Sequence, residues 1–189
     1  PIAEPPHQAV DLAVLSERAG LDVVTFQDHP YVPSFLDTWT LISVVAARTE
    51  RIHISGNVLN LPLRQPAVLA RSVASLDRLS GGRIELGLGT GWAWDGIAAL
   101  GGRRLTPGQS IRALDEAIAI MRGIWATDQP GGVRVDGDFY HVAGAPRGPA
   151  PAHDIAIWLG AYKPRLLRLV GRVAAGSCRC PTCPQDPTH

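Results

Sequence analysis

The sequence predicts an α/β fold with a parallel sheet, organised as part of a (β/α) barrel. Three observations carry this. Short apolar runs rich in β-formers alternate with longer segments whose apolar residues recur at helical spacing. Most of the helical segments open on a capping residue or a proline, and two are followed by glycine. The strand-then-helix order repeats, and such repeats build parallel sheets joined by crossover helices. A complete eightfold barrel needs about 250 residues, and the chain has 189. About four strands of the eight, a partial barrel, are therefore expected.

The elements follow in order. Residues 8–19 form a helix with Val10, Val14 and Leu15 as its apolar positions, stopped at Gly20. Residues 22–27 read as a buried strand ending at Asp28-His29-Pro30. Asp37 or Thr38 caps a helix carrying Leu41, Val44 and Val45. Residues 52–59 are the next strand. Pro66 then opens a helix with Leu69, Val73, Leu76 and Leu79 on one side, ending at Gly81-Gly82.

Residues 84–88 form a strand that runs into Gly89-Thr90-Gly91 and a loop rich in Trp and Gly. Thr106-Pro107-Gly108-Gln109 has the form of a capping box with Pro at the first helical position. Ile111, Leu114, Ile118, Met121 and Trp125 continue that helix. Residues 133–142 read as a hairpin with Asp136-Gly137 at its turn. Residues 155–159 are a fourth buried strand, and Pro164 opens a last helix with Leu166, Leu167, Val170 and Val173.

Composition narrows the function classes. Hydrophobic residues make up 46% and charged residues 19%, an ordinary globular balance. With 18 basic and 17 acidic residues the net charge is +1, so no basic excess points to nucleic acid or a lipid surface. No apolar run reaches the roughly 18 residues of a membrane span, and no signal peptide stands at the start. Cysteine is absent before Cys178, as expected of a cytoplasmic enzyme. After Ala175 the character changes. The barrel domain is expected over residues 1–175, with 176–189 a tail of frameshifted or disordered sequence. Cys178, Cys180, Cys183 and His189 have the look of zinc ligands but sit on a short tail without a supporting shell, so no metal is assigned.

In α/β barrels the chemistry lies where strands end, and three strand ends carry unusual residues. At Asp28-His29-Pro30 the imidazole can exchange a proton near neutral pH; the alternative is a packed loop histidine. Gly56-Asn57-Val58-Leu59-Asn60-Leu61-Pro62 offers close backbone approach and two amides, or simply a strand-to-loop turn. Gly87-Leu88-Gly89-Thr90-Gly91-Trp92 is either a cradle for a phosphate or flat ring or a bare glycine-rich turn; it matches neither dinucleotide nor phosphate-loop spacing. Glu85 is expected to pair with an arginine inside the barrel, and Trp39, Trp125 and Trp158 to be core. There is no G-x-S-x-G nucleophile elbow.

These strand ends in this order resemble the luciferase-like monooxygenase family of flavin-dependent oxidoreductases. The cues are DHPYVPSFLDTWTLISVVAARTERIHISGNVLNLPLRQPAVLARSVASLDRLSGGRIELGLGTGW, then PGQSIRALDEAIAIMRGIW and IWLGAYKPRLLRLVGR, covering residues 8 to 174. The resemblance implies a TIM barrel, dimeric when full-length, holding FMN or the deazaflavin coenzyme F420 at its C-terminal face. It implies that His29 faces the reactive ring edge, with Asp28 beside it. Asn57-Val58 matches a non-proline cis peptide behind the ring, and Asn60 a ring contact. Thr90, Gly91 and Asp95 match cofactor contacts after the next strand. Gly160, Ala161 and Lys163 match a phosphate loop entering a helix, where anions bind. The implied activity is hydride transfer or oxygen activation on a small organic substrate. The alternative is an inactive αβ fragment acting as a binding or self-associating module.

Three departures stand out. Trp92 occupies the place where the family's sugar-phosphate dehydrogenases carry a glutamate, which argues against that substrate. The first strand and the last three βα units are missing, as in a truncated chain. Ala-Gly-Ser-Cys follows Ala174 where the family continues differently.

Overall fold

A computed structural model of the chain describes residues 1–174 and the backbone of 176–178. The elements in chain order are α1 (Gln8–Arg18), β1 (Val23–Phe26), α2 (Thr38–Arg48), β2 (His53–Gly56) and β3 (Leu59–Asn60). They continue with a 3-10 turn at Leu61–Leu63, α3 (Pro66–Leu79), β4 (Leu86–Gly89), α4 (Trp94–Ala99) and α5 (Pro107–Trp125). The last are β5 (Val133–Asp136), β6 (His141–Ala145), β7 (Ile157–Gly160), α6 (Pro164–Val173) and β8 (Gly176–Cys178).

The sheet is parallel and follows chain order. β1 pairs β2 from Val23↔His53 to Phe26↔Gly56. A single parallel bridge, Ile54↔Ile84, carries the sheet across to the chain entering β4. β3 pairs β4, β4 pairs β7, and β7 pairs β8, all parallel. β2 and β3 act as one strand interrupted at Asn57-Val58, whose peptide is cis. Among the described residues the sheet is open, as a partial barrel must be. The hairpin β5–β6 is the antiparallel exception, set apart from the sheet.

Local chemistry fixes the helix starts. Asp37 accepts the Thr40 N–H at 2.8 Å and caps α2, settling the choice between Asp37 and Thr38. At α5 the Thr106–Gln109 capping box forms in both directions. Pro66 and Pro164 stand at the first turns of α3 and α6. Gly81 and Gly82 leave α3 with φ of 73° and 86°, a region that favours glycine. The core joins Leu59, Leu86, Leu88, Ile157 and Leu159 of the strands to Ile42, Val73, Leu114 and Met121 of the covering helices.

Several expectations are corrected. β1 is not buried throughout: Val23 is 51% exposed and only Phe26 is enclosed, because β1 pairs on one side alone. On α1 the enclosed residues are Val10 and Ala13, and Leu15 is 60% exposed. Val44 and Leu79 also face solvent, Leu79 at the very end of α3. Trp158 is 39% exposed rather than core. Among the described residues Glu85 pairs with no arginine. It takes His53 at 3.2 Å and the Ala156 N–H at 3.1 Å, at the end of the sheet where strands begin.

Two parallel strands lie beyond the predicted set: β3, and β8 at Gly176–Cys178. Cys180, Cys183 and His189 lie outside the described residues, as does most of the 176–189 tail. No helix among the described residues is long and apolar enough to cross a membrane.

Candidate functional site

Parallel strands deliver their C-terminal ends to one edge. β1 ends at Phe26, and the chain turns through Asp28 and His29. The Asn57 N–H donates to the Phe26 carbonyl at 2.7 Å, so the break between β2 and β3 is tied to the end of β1. Val58 projects from that break toward the next two strand ends. A Cβ built on Gly89 would lie 2.5 Å from the Val58 Cγ2, and one on Gly160 would lie 3.1 Å from it. Any side chain at Gly89 would thus displace Val58. The edge is one contiguous surface running from Phe26 through Val58 to Gly160.

Asp28 anchors this surface. Its side chain is 1% exposed. Its Oδ2 accepts three N–H groups: Asn60 N at 2.8 Å, Arg64 Nε at 3.0 Å and Arg64 Nη2 at 2.8 Å. A buried carboxylate held by guanidinium and amide donors is fixed in place. Three other oxygens at this edge are buried without a hydrogen-bond partner: Asp28 Oδ1, Asn57 Oδ1 and Asn60 Oδ1. Buried polar atoms are nearly always satisfied, so these three orphans ask for an external donor.

His29 sits beside this cluster, half-buried. Burial pushes its imidazole below the usual 6.5, the Asp28 charge acting in the opposite direction. Its ring lies parallel to those of Tyr31 and Phe35, with centroids at 5.5 and 6.1 Å, and meets Trp92 edge-on at 6.1 Å.

After β4 the chain passes Thr90 to Gly91, whose φ is +85°. A Cβ at Gly91 would lie 2.8 Å from Pro62 and 3.0 Å from Ile97, so this turn closes on the loop after β3. Asp95 lies in the first turn of α4, with its side chain fully exposed and paired to Arg104. Ala161 is buried, and Lys163 is exposed at the N-cap of α6.

Of the residues predicted from sequence, Asp28, Asn57, Val58, Asn60 and Gly160 are thus linked directly or through one neighbour. His29, Thr90, Gly91, Ala161 and Lys163 flank them on the same edge. Asp95 is fully exposed and paired to Arg104. Sequence reasoning missed Arg64, Tyr31 and Phe35. The only signal for Arg64 was its standing as the sole cation of the short loop before α3. Among the described residues no cluster of His, Cys, Asp or Glu could hold a metal.

Parallel strands in chain order with their covering helices define a partial (β/α) barrel, and the candidate site lies at the C-terminal ends of its strands. The chain belongs to the luciferase-like monooxygenase family, whose profile matches residues 1–182. It is 35% identical over 181 residues to an F420-dependent glucose-6-phosphate dehydrogenase of Nocardia farcinica, an alignment covering 90% of this chain and 52% of the relative. Identity to the dehydrogenase of the same description from Gordonia bronchialis is 34%, with the same coverage. The chain spans about half the length of the curated relatives it matches.

Solved structures share the fold. An F420-dependent secondary alcohol dehydrogenase in complex with an F420-acetone adduct superposes with TM-score 0.81 at 22% identity, covering 91% of this chain and 53% of that one. The oxygenating constituent of 3,6-diketocamphane monooxygenase from Pseudomonas putida, in complex with FMN, gives TM-score 0.74 at 24% identity, covering 89% and 50%.

Proposed function

We propose that this chain supplies the cofactor-holding part of a flavin- or deazaflavin-dependent oxidoreductase acting on a small organic substrate. The observation that carries the reading is the set of three buried, partnerless oxygens, on Asp28, Asn57 and Asn60, beside the Val58 wedge. A planar heterocycle with N–H and hydroxyl donors fits that set. FMN and coenzyme F420 both meet this requirement; the names of the relatives favour F420. A cytoplasmic location and a homodimer for the whole enzyme belong to the same proposal.

Each residue has a physical task. Arg64 and the Asn60 N–H hold Asp28 through Oδ2 and leave Oδ1 to accept from the ring. Val58, backed by Gly89 and Gly160, gives the ring a rigid apolar support. The N-terminus of α6 carries the positive end of the helix dipole and Lys163 a positive charge, suited to the cofactor phosphate. His29, neutral at pH 7 because burial disfavours its charged form, is placed to accept a proton from a substrate hydroxyl. The bound ring itself supplies the hydride or oxygen chemistry.

The test is a fluorescence titration of the purified chain with F420 and, separately, with FMN. Saturable binding of at least one is expected, weakened about tenfold by Lys163→Ala, equivalent to one contact of about 1.4 kcal/mol. Absence of saturable binding by both ligands would overturn the reading.

A further inference from the structure

Residues 28–37, between β1 and α2, carry His29 and two of the rings that lie against it. The His29 ring is parallel to Tyr31 at 5.5 Å and to Phe35 at 6.1 Å, so much of its seat is built from its own loop. Trp92 closes the seat edge-on from the turn after β4. The ends of this loop are joined at its neck. The Thr38 hydroxyl donates to the Gln27 carbonyl at 2.6 Å, across eleven positions. Arg64 makes a second clasp, holding Asp28 at the start of the loop and lying 3.7 Å from Asp37 at its end. Inside the loop, the Val32 N–H donates to the His29 carbonyl at 2.9 Å and the Phe35 N–H to the Val32 carbonyl at 3.0 Å. A compact loop with joined ends, packed by its own side chains, fixes where those side chains stand.

The Thr38 bond is not a helix cap. Asp37 already fills that role at α2, accepting the Thr40 N–H and the Thr40 hydroxyl, both at 2.8 Å. Thr38 is 1% exposed, and a hydroxyl buried this deeply costs free energy unless it is bonded. Valine has nearly the same shape without that cost. What the hydroxyl adds is the join to Gln27, two residues before His29.

We infer that Thr38 is a positioning residue for His29: its hydroxyl closes the neck of loop 28–37 and keeps the imidazole in its seat at the strand-end edge. The inference rests on the oxidoreductase reading above, which gives His29 a proton to accept. The charged groups acting on the imidazole are Asp28 beside it and the Pro1 ammonium. The Pro1 segment is bonded to the far end of the loop, where the Ala3 N–H donates to the Ser34 carbonyl at 2.8 Å and the Leu36 N–H to the Pro1 carbonyl at 2.9 Å. Arg64 and Asp37 stand behind Asp28, the Tyr31 phenol lies alongside, and the β4 side contributes the uncharged Trp92. Burial, the largest effect, disfavours the protonated ring; Asp28 favours it, and the Pro1 ammonium acts with burial. Thr38→Val alters none of these charges. A change in the His29 titration of that variant therefore reports water reaching the ring.

NMR on the full chain tests it with Thr38→Val and Thr38→Ser. In the unaltered chain the backbone order parameters of His29, Val32 and Phe35 are expected near about 0.85, as in rigid backbone. In Thr38→Val they fall toward about 0.6 while those of Leu86 and Leu88 in β4 hold, and His29 titrates higher, closer to 6.5. Thr38→Ser keeps the hydroxyl and restores both. A role confined to overall stability would move neither reading in the folded chain. The inference is overturned if Thr38→Val leaves the His29 titration where it was, or if Thr38→Ser behaves as Thr38→Val does. Independently of any variant, it is overturned if the loop residues of the unaltered chain have order parameters below about 0.6. F420 and FMN titrations of the same samples separate the two claims. Cofactor binding without the His29 response removes the positioning role alone. The His29 response with neither cofactor bound removes the oxidoreductase reading and leaves Thr38 as the residue that seats the imidazole.

Discussion

Asp28→Ala removes a carboxylate that is 1% exposed and whose Oδ2 accepts three N–H groups. The loss leaves the Asn60 N–H without its acceptor and the Arg64 guanidinium, 18% exposed, without its nearer carboxylate. Removing one partner of a buried ion pair costs about 3–5 kcal/mol. Asp37, 3.7 Å from Arg64, remains to offset part of the guanidinium's charge. The lower end, about 3 kcal/mol, is therefore expected. Asp28→Asn keeps an acceptor for the Asn60 N–H and loses the charge, so about half that cost follows. Urea unfolding followed by tryptophan fluorescence reads the effect. With a slope of about 2–3 kcal/mol per molar, Asp28→Ala lowers the midpoint by roughly 1 M at unchanged slope. The pair Asp28→Leu with Arg64→Met, which removes both charges, recovers much of the loss. A midpoint for Asp28→Ala within the roughly 0.5 kcal/mol of an ordinary surface substitution would refute the anchoring role.

Three further outcomes are expected. Burial lowers the His29 pKa below its unfolded value of 6.5, so the unfolded chain binds this proton more tightly. His29 therefore costs stability as pH falls below about 6.5, and His29→Asn flattens that part of the pH–stability curve; an NMR titration placing His29 at or above 6.5 contradicts this. Gly87→Ala puts a Cβ 2.0 Å from the Gly56 carbonyl oxygen and destabilises by about 3 kcal/mol or more, whereas Gly108→Ala, with nothing within 4 Å, is neutral or mildly stabilising by thermal melt. Leu12 and Leu15, 55% and 60% exposed on α1, promote self-association, so light scattering of Leu12→Glu/Leu15→Glu shows a smaller mean size than the unaltered chain.

Much of this was legible because the signals were local. Asp37, Thr106, Pro66 and Pro164 announce helix starts within three residues of the groups they serve. Residues at the ends of parallel strands share an edge by topology, which placed Asp28, Asn57, Thr90 and Gly160 together from chain order. Long-range polar contacts left no such trace. Asp28 and Arg64 are 36 residues apart. Glu116, which accepts the N–H groups of Asp138, Phe139 and Tyr140 in the hairpin turn, lies 22–24 residues from them. Asp77, fully buried, accepts from Ala152 and His153 across 75 and 76 residues. Periodicity cannot see such pairs. It also passed over α4, whose six residues include Gly96, and the two-residue β3, too short to show alternation.

The central claim is that a planar cofactor binds where β1, β3, β4 and β7 end. Backbone amide NMR on the full chain, titrated with F420 and then FMN, tests it residue by residue. The account predicts that the shifts which move concentrate at Asp28, Asn57, Asn60, Thr90, Gly91, Gly160, Ala161 and Lys163. It predicts no movement at His53, Glu85 and His153, which join at the opposite end of the sheet. Shifts centred on that opposite end, or an unchanged spectrum with both ligands, would contradict it.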